Sequence, residues 1–103
     1  MEPKIIYLDV ETNGIGSFRP PQQRIMQLSW IHNDNDYDYF IKGVEEVSSD
    51  VPHSITVEKC DEFGVNWNTA FKELCKCLED CDKIVCHNAE FDLGTIVNEL
   101  KLR

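Results

Sequence analysis

Asp9 and Glu11 stand two residues apart at the end of a short apolar run, Ile5-Ile6-Tyr7-Leu8 followed by Val10. In an extended strand, side chains two apart project from one face, with Cα atoms roughly 6–7 Å apart. Two carboxylates held that way can share one hard divalent cation, and oxygen ligands suit Mg²⁺ or Mn²⁺. Taken alone, the pair also fits two acids exposed at a strand end. A second group, His87-Asn88-Ala89-Glu90-Phe91-Asp92, adds a third carboxylate. Asn88 has helix N-cap chemistry, which puts Asp92 in the first turn of a helix. If the preceding residues Lys83 to Cys86 form a strand parallel to the first, Asp92 faces Asp9 and Glu11. The crevice at the carboxyl ends of parallel strands is where α/β sheets hold ligands. An acid favoured by the helix dipole accounts for Asp92 as an acid, but not for its place opposite the pair.

The elements that must position these groups can be read in chain order. Ile5 to Val10 is a nearly continuous apolar run and predicts a strand buried on both faces. Thr12-Asn13-Gly14 ends it with turn chemistry. Residues 15–23 contain Gly16, Pro20 and Pro21 and read as a loop. Ile25 to Ile31 predicts a second strand with Met26, Leu28 and Trp30 on one face. Asn33-Asp34-Asn35 reads as a turn, and Tyr37, Tyr39 and Ile41 alternate on a third strand. Residues 43–53 read as loop and Ile55 to Lys59 as a short helix. Trp67, Ala70, Phe71, Leu74, Leu78 and Cys81 recur at three- and four-residue steps, predicting an amphipathic helix capped by Asn66 or Asn68. Lys83 to Cys86 predicts a brief buried strand. Leu93, Ile96, Val97 and Leu100 mark a second helix packed on the sheet.

At this point the residues resemble a family. Leu8-Asp9-Val10-Glu11-Thr12-Asn13-Gly14 is similar to motif I of the DEDD (DnaQ-like) 3′–5′ exonucleases, and His87-Asn88-Ala89-Glu90-Phe91-Asp92-Leu93 to motif II. Between them, Arg24 to Trp30 resembles the family's second strand. Pro52 to Glu58 resembles its His-Gly-Ile-Thr segment, with Ser54 in place of the glycine. The resemblance runs in order along essentially the whole chain. It implies an α/β, RNase H-like mixed sheet with flanking helices, three antiparallel strands plus one parallel strand. It also implies two Mg²⁺ or Mn²⁺ ions, with Asp9 bridging both, Glu11 binding one and Asp92 helping to hold the second. One ion activates the attacking water and the other stabilises the leaving 3′ oxygen. Backbone groups at Thr12, Asn13 and Gly14 would cradle the terminal nucleotide, and His53 would approach its sugar or phosphate. The implied substrate is a nucleic-acid 3′ end, with single-stranded DNA favoured over RNA. The implied partners are a polymerase or the rest of the domain.

The family's third motif, with a last metal-binding Asp and a His or Tyr base, has no counterpart here. After Asp92 only Glu99 is acidic, and it lies on the same helix. The 103 residues therefore read as the N-terminal portion of a single exonuclease domain, truncated before its last strand and inactive or nearly so alone. A downstream segment should then restore activity. A non-catalytic remnant serving as a scaffold or interaction module is the reading from another class.

Composition constrains the rest. Ten Lys plus Arg against nineteen Asp plus Glu give a net charge of −9, which repels nucleic acid at long range unless cations intervene. No apolar run is long enough to cross a membrane, and an N-terminus reading MEPKIIYLDV carries no secretion signal, so an intracellular protein is expected. Five cysteines without such a signal read as reduced thiols. Cys77, Cys81, Cys86 and His87 match no standard zinc spacing. Asp34 to Asp38 opens like a calcium loop, but Tyr39 stands where that loop needs glycine. No Gly-x-Ser-x-Gly elbow, phosphate loop or dinucleotide fingerprint occurs.

Overall fold

The computed structural model describes residues 3–14, 23–49 and 51–102. Most of the loop expected at 15–23 lies outside the described residues. The elements are β1 (Ile5–Thr12), β2 (Ile25–His32), β3 (Asn35–Phe40), α1 (Val57–Phe63), α2 (Trp67–Glu79), β4 (Lys83–Cys86) and α3 (Ala89–Leu102). The strands form one mixed sheet in the order β3-β2-β1-β4. β1 to β3 run antiparallel, and β4 lies parallel to β1, pairing Ile5 with Lys83 and Leu8 with Cys86. This is the α/β fold class expected from the sequence: three antiparallel strands, one parallel strand and flanking helices.

The β2–β3 hairpin turns on two residues, Asn33 and Asp34, at φ 51° and 65°. Both residue types tolerate this left-handed region, and a two-residue turn of that hand matches the twist of the strands. β1 and β2 pair with a β-bulge between Glu11 and Thr12, opposite Met26. The bulge resets the side-chain alternation. Ile25 therefore joins Leu28 and Trp30 in the main core, while Met26 turns into a second cluster with Val44 and Cys60. Simple alternation predicts Met26 on the face of Leu28 and Trp30, and the bulge moves it.

The main core lies between one face of the sheet and the helices. Ile6, Leu8 and Val10 of β1 meet Trp67, Ala70, Leu74 and Cys77 of α2 and Ile96 of α3. The opposite face carries Tyr7, Asp9, Ser29 and Ile31, and Tyr7 is 51% exposed. β1 is thus buried on one face rather than both, because the described helices cover only one side. β4 is likewise not buried: it is the sheet's edge strand, and Ile84 is exposed.

Helix α1 begins two residues later than expected, because Thr56 caps it by accepting from the Lys59 amide at 3.1 Å. Asn66 occupies the N-cap position of α2, but its side chain makes no capping hydrogen bond. At the head of α3, Asn88 Oδ1 accepts from the Phe91 amide at 3.3 Å, and the Asp92 amide donates to the Asn88 carbonyl at 2.8 Å. The burial of α3 matches the expectation at Ile96 and departs from it elsewhere. Asp92, Thr95, Ile96 and Glu99 face inward, while Leu93, Val97 and Leu100 are exposed.

Candidate functional site

Parallel pairing brings the ends of β1 and β4 side by side, and the acids gather there. Asp9 projects from the open face of β1, opposite Ser29 of β2, and Glu11 projects from the same face opposite Gln27. Asp92 reaches the same corner from the first turn of α3. It is only 3% exposed, and its Oδ2 is buried without a hydrogen-bond partner. Burial pushes the Asp92 carboxyl above the ordinary carboxylate range, and the Asp9 charge pushes it further; a backbone hydrogen bond from Asn88 and the nearby His87 pull partly back. The Cys86 thiol is raised first by burial, then by Asp92 and Asp9. Asp9, Asp92 and Cys86 therefore share one electrostatic environment at the carboxyl ends of two parallel strands.

A cleft of about 550 Å³ on the open face runs from Asp9, Cys86 and His87 across Tyr7 and Ile31 to Asp36. Its floor is apolar and its rim is acidic, so a polyanion would need cations to enter it. Among the described residues, no three His, Cys, Asp or Glu side chains converge closely enough to hold a metal ion. The predicted triad is thus only partly assembled: Asp9 and Asp92 interact, and Glu11 does not complete a three-ligand cluster with them. The pair fits a cation. A buried carboxylate oxygen with no donor, in the field of a second carboxylate, is an unfavourable arrangement that a hard divalent ion relieves.

The segment expected to cradle a nucleotide is bound up internally. The Asn13 amide donates to the Arg24 carbonyl at 3.0 Å, and Asn13 Oδ1 accepts from the Arg24 amide at 3.0 Å. The Asn13 carbonyl accepts from the Ser48 amide at 2.8 Å. Asn13 is 1% exposed and ties three segments together. Gly14 sits at φ +76°, its amide donating to Thr12 Oγ1 at 3.2 Å, and a Cβ there would run into the Val51 side chain. His53 Nδ1 accepts from the Ile55 amide at 3.2 Å, while Nε2 lies 2.6 Å from the Thr12 carbonyl. An acceptor Nδ1 requires the hydrogen on Nε2, so His53 is the neutral Nε2-H tautomer and donates to Thr12. His53 is therefore held against the backbone at the end of β1.

The surroundings of Cys86 and Glu99 come from the fold. Cys86 lies beside both acids, and its signal was its place as the last residue of the strand before the His87–Asp92 segment. Glu99 lies on the face of α3 that carries Asp92, which the seven-residue spacing indicates. It is buried against Arg24: Nε donates to its Oε2 at 3.0 Å, and the Ile25 amide donates to its Oε1 at 3.2 Å. Glu99 is thus an ion-pair partner and not a further acid at the cleft. Among the described residues, no helix is long and apolar enough to cross a membrane. Neither the family-model comparison nor the comparison with curated proteins gives a match to this chain.

Proposed function

We propose that the chain carries part of a metal-dependent 3′–5′ exonuclease site of the DEDD type, on an RNase H-like scaffold. The observation that carries this reading is the orphaned, buried Asp92 carboxylate at the head of α3, within the field of Asp9 at the end of β1. A protein retains so costly an arrangement where a cation is to be bound. The order of the two acidic motifs along the chain supports the same reading. Asp9 and Asp92 would hold Mg²⁺ or Mn²⁺, with Glu11 one pleat away as the further ligand. Bound there, the ions would supply a nucleophilic water and stabilise a leaving 3′ oxygen. The chain's own part is positional. β1 carries Asp9 and the head of α3 carries Asp92, and the His53–Thr12 bond and the Asn13 knot hold the end of β1. The acidic rim repels the substrate backbone until cations neutralise it, so base preference should be weak and metal dependence strong.

A second reading has its own observation. The backbone amide and carbonyl of Asn13 are both used within the fold, which suits an interaction module with no nucleotide cradle. One pair of measurements decides. Mn²⁺ should raise the melting temperature of the wild-type chain but not that of Asp9→Ala. A 3′-labelled single-stranded oligonucleotide should be shortened only with the metal and only by the wild type, slowly for this chain alone. Absence of any Mn²⁺ response in the wild type, or cleavage of closed circles in preference to free 3′ ends, would overturn the proposal. Mn²⁺ binding with no cleavage under any condition would favour the module.

A further inference from the structure

Helix α3 carries two stripes, each with helical spacing. Asp92, Thr95, Ile96 and Glu99 form the inward one, and Leu93, Val97 and Leu100 the outward one. The outward stripe is the more apolar, yet Val97 is 50% exposed while Glu99 is 1% exposed. The stripes are offset by one residue, so a rotation of about 100° about the helix axis would bring Leu93, Val97 and Leu100 to the places of Asp92, Ile96 and Glu99. Burial of apolar surface favours the rotated helix, which would carry Asp92 out of its buried place. Something must hold α3 against that preference.

We infer that the Arg24–Glu99 pair is the positioning device that fixes the rotation of α3 and so keeps Asp92 turned inward at the head of that helix. The pair is built for this. Glu99 accepts from Arg24 Nε with both oxygens, at 3.0 and 3.3 Å, and from the Ile25 amide at 3.2 Å. Those three bonds can form only with Glu99 inward. Arg24 is itself doubly bonded through its backbone to Asn13, two residues beyond Glu11. One end of the clamp therefore grips the helix bearing Asp92, and the other grips the strand end bearing Asp9 and Glu11. A buried ion pair is a poor source of net stability, because desolvation offsets its attraction, but it is strongly specific about which arrangement satisfies it. The role given to Asp92 rests on the proposed metal site; the rotation of α3 does not.

The test uses the full chain and two substitutions at one position. Glu99→Leu removes the clamp and makes the inward stripe's last position apolar. Glu99→Gln keeps the volume and an acceptor for the Ile25 amide but loses the ion pair. Methyl NOEs read the rotation and Mn²⁺ titration reads the site. In the wild type, Ile96 should show NOEs to core methyls such as Leu8 and Leu74, and Val97 and Leu100 should not. In Glu99→Leu, Val97 and Leu100 should take over those NOEs. Mn²⁺ affinity should fall on the order of tenfold or more, the range carried by groups that orient metal ligands. Glu99→Gln, which should fold even if the leucine variant does not, should show both NOE patterns together and an intermediate affinity. Asp92→Ala should lose Mn²⁺ binding and keep the wild-type NOEs. If whichever Glu99 variants fold retain the wild-type Ile96 pattern, the clamp does not set the helix, and the inference falls. If the wild type binds no Mn²⁺, the metal site falls, and the NOE comparison still decides the clamp.

Discussion

Replacing Asp92 by Asn should make the metal-free protein more stable and the metal-loaded protein less so. The side chain is buried, its Oδ2 has no donor, and Asp9 repels its charge. A buried polar group left unsatisfied costs about 1–3 kcal/mol. Asparagine removes the charge but leaves one polar atom in the same place, so about 1–2 kcal/mol of that cost should be recovered. For a domain of this size, about 1 kcal/mol moves the melting temperature by roughly 4–8 °C. The sign also fixes the pH dependence. The folded-state carboxyl of Asp92 titrates above its unfolded value, so its penalty is absent below the ordinary carboxylate range and grows as pH rises through the raised value. Wild type and Asp92→Asn should therefore converge in acid and separate toward neutral pH. Urea melts in EDTA across that range give the first comparison. The same melts in Mn²⁺ give the second, where a ligand at a hundred times its dissociation constant adds about 2.7 kcal/mol to whichever protein binds it. A metal-free Asp92→Asn that is less stable than wild type at neutral pH would show that the carboxylate is not strained, and the argument for a cation at this corner would fail.

Three further outcomes are expected. Gly14→Ala should cost roughly 2–4 kcal/mol in urea melts, because a left-handed residue with a Cβ is disfavoured and that Cβ meets the Val51 side chain; an unchanged midpoint would mean the turn relaxes freely. Asp80 is held below the ordinary carboxylate range chiefly by the hydrogen bond from Lys4, with Asn33 also donating. Its contribution is present above the unfolded carboxylate value and lost as pH falls through the depressed one, so Asp80→Asn should flatten the acid limb of the stability profile, and an unaltered limb would refute the assignment. All five cysteines are free, and Cys60, wholly buried with its thiol raised by burial, should be the slowest to react with a thiol reagent, as peptide mapping of partly labelled native protein would reveal.

The sheet was legible because its strands are short apolar or alternating runs and its turns use unambiguous residues, as at Asn33 and Asp34. The meeting of Asp9 with Asp92 was legible too, since a strand followed by an Asn-capped helix puts the acid at a known end. Three things were not. A bulge inserts a residue without a compositional mark, so the fate of Met26 could not be counted from alternation. The covering of one sheet face depends on where helices dock, so the exposure of Tyr7 was invisible in an apolar run. On α3 only Ile96 of the expected apolar face is buried, because Glu99 turns inward to a long-range partner, Arg24, that no local pattern marks.

The parallel strand has a kinetic consequence. β1 meets β2 through nearby sequence, and β2 meets β3 across two residues, so the three-stranded meander can form by local zippering. β4 must return to β1 from the far end of the chain; the Lys4–Asp82 contact that seals the pairing spans 78 positions. Closing a loop that long is entropically costly and slow, and the contacts that reward it arrive only at the end. The corner where Asp9 meets Asp92 should therefore be the last part of the molecule to assemble and the first to open. Amide exchange should find Val85 and Cys86 protected far less than Leu28 and Trp30, and a ligand that bridges the two acids would act chiefly by slowing that opening.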